Sequence, residues 1–120
     1  MSREDALAWL EGRLDGVHPA LAEAVRRCVE GAPEPDGPTS VAETLADAAA
    51  AELEDLAGGS QDRAAAVRLL AADAVLTYAF EAVAEQGGDP DALAGRVGPE
   101  GVLGRALVRA ARSAGAGEGA

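Results

Sequence analysis

Apolar residues recur along the chain at spacings of three and four, the repeat of an amphipathic helix, and nowhere alternate over a length that would make a strand. The first run predicts a helix over about residues 3–15, capped by Ser2 and closed by Gly16, with Ala6, Leu7, Leu10, Leu14 and then Val17 on one face. His18-Pro19 sets a proline at the first position of a second helix that reaches about Glu30 and ends at Gly31; its stripe is Leu21, Val25, Cys28 and Val29. Residues 32–39 (APEPDGPT) hold three prolines and a glycine, which neither a helix nor a central strand tolerates, so they read as an internal linker.

Ser40 and Glu43 stand at capping-box spacing and open a third helix, with Val41, Leu45, Ala49, Leu53 and Leu56 on one face and Glu43, Asp47, Glu54 and Asp55 on another, until Gly58-Gly59. Ser60 is the expected cap of the longest helix, which runs to about Gln86 before Gly87-Gly88. At 100° per residue this helix carries two apolar stripes: Leu69, Leu76, Phe80 and Val83, and on the opposite side Val67, Ala71, Val75, Tyr78 and Ala82. Asp89-Pro90 and Gly98-Pro99 start two further helices, to about Val97 and Ser113. The expected fold is therefore all-α, a small bundle of five to six helices around a long central helix at about 60–86. One domain would cover residues 1–113, with a disordered small-residue tail over 114–120.

Composition makes that core a thin one. Ile is absent, Phe occurs once and alanine is abundant, so each buried side chain removes little apolar area from water. Such a chain is expected to be modestly stable or to lean on a second subunit. Asp and Glu number 21 against 10 basic residues, all of them Arg, for a formal net charge of −11. That field disfavours nucleic acid and anionic membrane as partners. The absence of Lys, Asn and Ile fits a G/C-rich coding bias, and the acidic surface would also suit a high-salt cytoplasm, where screening relieves self-repulsion. A single cysteine, no signal-like apolar run after the N-terminus and no membrane-length apolar stretch point to a cytoplasmic protein.

Candidate chemistry is sparse. Asp73 falls inside the stripe of Leu69, Leu76 and Phe80, with Thr77 beside it. A carboxylate there needs a partner or a proton, either from an Arg on a neighbouring helix or as part of a ligand site in a bundle pocket. Arg105, Arg109 and Arg112 form one basic stripe on the last helix, suited to pairing with the acidic face of the third helix or to a partner. Trp9 lies off the first helix's stripe and would leave a large apolar surface wet unless a loop or a partner covered it. His18 reads as a capping or surface residue and Cys28 as an inert core thiol. One histidine and one cysteine make neither a zinc set, a di-iron bundle nor a hydrolase triad, so no catalytic residue, metal or cofactor is expected.

The stretch Ala71 to Glu85 (AADAVLTYAFEAVAE) resembles one core helix of the trans-isoprenyl diphosphate synthases, in which a Gly-Asp-x-Leu-Leu run leads into Ala-Phe-Glu. Ala72 stands where that family has glycine, and the chain has no Asp-Asp-x-x-Asp motif to hold magnesium and diphosphate, so the resemblance implies similar helix packing without the activity. Two roles follow as expectations. The first is a non-enzymatic protein-interaction or regulatory module that docks on a protein partner or forms a homo-oligomer. The alternative is a helical domain binding a small apolar or phosphorylated ligand near Asp73, which would require a pocket of roughly 300 Å³ or more beside that residue.

Overall fold

The computed structural model describes residues 2–35, 37, 39–59, 61–98, 101, 104, 108, 111 and 112. Five helices run through them: α1 (Ser2–Glu11), α2 (Pro19–Glu30), α3 (Val41–Ala57), α4 (Arg63–Gln86) and α5 (Pro90–Val97). Among the described residues there is no strand, and no helix is long and apolar enough to cross a membrane. The chain is a small all-α bundle whose longest member, α4, is one uninterrupted rod.

Local chemistry sets most of the helix ends. Pro19 fits the first turn of α2, where the missing N–H would have no partner anyway, and His18 caps the helix by accepting the Ala20 N–H on Nδ1 at 3.1 Å. At α3 the capping box is complete: Ser40 Oγ accepts from Glu43 N and Glu43 Oε1 accepts from Ser40 N, each at 3.1 Å. Gly87 ends α4 at φ 76°, a left-handed turn that suits a residue without Cβ.

Two ends differ from the sequence reading. The first helix stops at Glu11 instead of continuing to about residue 15, and a turn carries the chain on, with Leu14 still buried against the core. In that turn Arg13 N and Leu14 N both donate to Leu10 O. The cap of α4 is Asp62, whose carboxylate accepts from Ala65 N at 2.8 Å; Ser60, the expected cap, lies outside the described residues. Ser and Asp are near-equal caps, and the shorter Asp62 register leaves the carboxylate at the positive helix end. The sixth expected helix falls largely outside the described residues, although Gly104, Val108, Ala111 and Arg112 are helical. The expected tail over 114–120 lies outside them entirely.

Packing runs along α3 and α4, which share the most extensive interface of the bundle. Helix α3 also meets α1, α2 and α5, and it buries Ala42, Thr44, Leu45, Ala46, Ala48, Ala49 and Ala50. For its part α4 buries Ala71, Ala72, Val75, Ala79, Ala82 and Val83. Alanine on both surfaces lets the backbones approach closely, which compensates in contact for what the side chains lack in bulk. The largest fully buried side chains are Leu10, Leu45, Val25, Val29 and Val75, so the thin core expected from composition is what the bundle has.

The stripe of Leu69, Leu76, Phe80 and Val83 on α4 is only partly enclosed. Leu76 and Phe80 are half-buried at the edge of the core, while Leu69 and Leu70 are 53% and 61% exposed. The two stripes behave as one broad face centred near Val75 and Ala79, and the remaining third of the helix surface, including Ala66, Leu69, Leu70, Asp73, Thr77 and Glu81, is in water. The expectation that neighbours cover α4 on both sides fails, since its buried residues Ala71, Ala72, Val75, Ala79, Ala82 and Val83 share one broad face and Leu69, Leu70, Asp73 and Thr77 are exposed.

Candidate functional site

Trp9 is half-buried on α1 and reaches across to α4. Its ring meets Tyr78 edge-on, with centroids 6.3 Å apart and planes at 74°, and the Arg13 guanidinium lies over it at 4.1 Å. The indole Nε1 donates to Glu85 Oε1 at 3.3 Å, and Arg13 forms an ion pair with the other oxygen of the same carboxylate. Trp9 sits off the α1 stripe because its contacts lie on α4. The cover that the sequence left open between a loop and a partner is supplied by a distant helix of the same chain.

Asp73 is exposed, so the buried setting expected of its stripe is absent. Its stripe-mate Leu69 is exposed with it, whereas Leu76 and Phe80 are half-buried and Val83 is buried, so the misplacement belongs to the end of the stripe at Leu69 and Asp73. Thr77 is also exposed, and its Oγ1 donates to the Asp73 carbonyl oxygen one turn earlier at 3.0 Å, a local bond that leaves the Asp73 carboxylate out of account. Arg112 is exposed, and Arg105 and Arg109 lie outside the described residues.

Among the described residues the acidic face of α3 is held by Arg96 of α5 and Arg68 of α4, not by Arg112 of the expected last helix. Arg96 of α5 donates to Asp47 Oδ1 and Oδ2 at 2.8 and 2.7 Å, and to Glu43 Oε2 at 3.1 Å. Hydrogen bonding to Asp47 raises the Arg96 pKa above its ordinary value, so the guanidinium keeps its charge. Arg68 of α4 bridges Glu52, with its Nε at 3.2 Å, and Asp55 at 2.5 Å. Arg26 of α2 pairs with Glu11 of α1 through Nε at 2.6 Å, and that hydrogen bond lowers the Glu11 pKa. Arg3 of α1 holds Glu34 and the Ala32 carbonyl in the Pro-rich segment. These contacts join separate elements, so the scarce cations act as cross-links in an acidic chain. The available signal was the count of ten cations against twenty-one anions, which makes a bridging use of each Arg favourable; its direction depends on tertiary structure.

Two concavities accompany these surfaces. One, of about 410 Å³, lies where α2, α3 and α4 meet the start of the Pro-rich segment, with Cys28 in its wall beside Arg68 and Glu52. The Cys28 thiol is buried and donates weakly to Ala48 O at 3.7 Å. Burial pushes its pKa up to about 12, which keeps it protonated and unreactive as expected of a core thiol. The other is an open apolar groove of about 500 Å³ between the end of α3 and the start of α4, walled by Leu53, Leu56, Ala65, Ala66 and Leu69 with Asp62 at one end. Its lining does not include Asp73. Leu69 belongs both to this groove and to the exposed flank of α4, which makes the two one continuous surface.

Among the described residues no cluster of His, Cys, Asp and Glu could hold a metal ion. No family model matches the chain, and neither the curated proteins nor the solved structures compared with it give a match.

Proposed function

We propose that this chain is a cytoplasmic, non-enzymatic protein-interaction module whose docking surface is the outer flank of α4 together with the α3–α4 groove. The observation that carries this reading is the exposure of adjacent Leu69 and Leu70 on the longest helix, bordering an open groove lined by leucine and alanine. In a chain with so few large apolar residues, two leucines left in water side by side are a substantial share of what could have stabilised the core. They lie where a flat helical flank is continuous with a concavity, the form in which a partner helix is commonly received.

Affinity capture from cells that express the tagged chain tests this, comparing the native sequence with a Leu69→Glu, Leu70→Glu variant. Both substitutions replace exposed side chains, so folding should be preserved, which circular dichroism checks. The expected result is at least one protein, a second copy of the chain included, retained by the native sequence and lost with the variant. Identical sets of retained proteins would overturn the reading.

A further inference from the structure

We infer that the occupant of this surface is a second copy of the same chain, docked antiparallel through α4 with Leu69 and Leu70 at the dyad and Arg63 of each copy paired with Asp73 of the other. The inference rests on the proposed docking role of the α4 flank and specifies its partner and register.

Three features of α4 support it together. Two of the three exposed large apolar side chains among the described residues are neighbours on this flank, so the patch is concentrated where a two-fold axis would pass. In an antiparallel pair centred between residues 69 and 70, position i faces position 139 − i. Each leucine then lies within roughly one residue rise, about 1.5 Å along the axis, of its own mate. Asp73 faces the small Ala66 of the other copy and lies about one helical turn from that copy's Arg63, within reach of its long side chain.

Arg63 and Asp73 are both exposed, and neither forms an ion pair with another described residue, whereas Arg3, Arg13, Arg26, Arg27, Arg68 and Arg96 all do. Among the described residues Arg63 shares this lack of an anion only with Arg112, and Arg63 alone of the two lies on α4. Arg63 is moreover the first residue of α4, where the positive end of the helix dipole disfavours a cation and favours an approaching carboxylate. The same register sets the two Asp73 carboxylates about 10 Å apart along the axis, roughly one Debye length at 0.1 M salt, so they do not oppose the contact strongly. The groove beside Leu69 opens on the same flank, where the Leu69 side chain of the second copy enters it.

Sedimentation equilibrium on the purified full chain over a wide concentration range, at 0.15 M and about 1 M KCl, tests the inference with four proteins. The native chain is expected to dimerise reversibly, and Leu70→Glu to abolish dimerisation. Arg63→Asp is expected to weaken it roughly tenfold, because it adds repulsion as well as removing two reciprocal attractions, and the double exchange Arg63→Asp, Asp73→Arg to restore most of the loss. A native chain that stays monomeric throughout would overturn the inference and leave the capture experiment to judge the wider reading. A dimer that survives Leu70→Glu, or one weakened by Arg63→Asp and not recovered by the exchange, would overturn the surface or the register respectively.

Discussion

Cys28 shows how a single side chain can be inert and still shape the response of the protein to its medium. Its thiol is walled in by α2 and α3, and burial raises its pKa from 9.0 to about 12. A group whose folded pKa lies above its unfolded value contributes its stabilisation in full below the unfolded value and loses it as pH climbs toward the folded one. Between pH 9 and pH 12 the folded state should therefore lose about 1.4 kcal/mol per pH unit through this residue alone. Urea unfolding of the native chain and of Cys28→Ala across that interval should show the variant lacking this part of the alkaline slope; parallel slopes would mean that the thiol is hydrated. The buried, unreactive character of Cys28 was legible in its Leu/Val stripe, because α2 has one face of clear polarity. Asp73 was misplaced by the same reasoning. Its helix is apolar nearly all round, and periodicity alone cannot choose which of two apolar stripes faces inward.

Helix ends were legible where a side chain of fixed reach defines them. The capping box of Ser40 and Glu43, the His18-Pro19 start of α2 and the glycine at the end of α4 all appear where the residues place them. The early end of α1 was not legible, since the apolar stripe continues through Leu14 toward Gly16 and the turn in which Arg13 N and Leu14 N donate to Leu10 O has no marker in the pattern. What holds one helix to the next was hidden as well. Glu43 serves two elements at once, with Oε1 closing the cap of α3 and Oε2 receiving Arg96 from α5. Helix α5 has eight residues and buries only Leu93 and Val97, so this clasp is a large part of its attachment. Arg96→Ala should cost about 1 kcal/mol overall, the upper part of the range for exposed pairs because one guanidinium serves two carboxylates. Hydrogen exchange should accelerate over residues 90–97 while the buried middle of α3 keeps its protection. Acceleration spread evenly over the bundle would show that α5 is not separately anchored.

For the whole molecule the all-α bundle followed from periodicity, and the thinness of its core from composition. The side on which that core lies along α4 was out of reach, because it depends on which of its apolar positions the neighbouring helices cover. The consequence is a chain that encloses small side chains, leaves two leucines in water, and carries a net charge of −11 that two copies must bring together. Association should thus be favoured by salt, with screening of the long-range repulsion outweighing the weakening of two rim ion pairs. The most direct test follows the leucine methyl groups by NMR in about 1 M KCl with a soluble gadolinium chelate, at low and at high protein concentration. At low concentration Leu69 and Leu70 should broaden strongly while Leu10 and Leu45 stay sharp, and at high concentration Leu69 and Leu70 should become protected. Methyl groups of Leu69 and Leu70 as sheltered as that of Leu45 in the dilute sample, or as broadened in the concentrated sample as in the dilute one, would contradict the account.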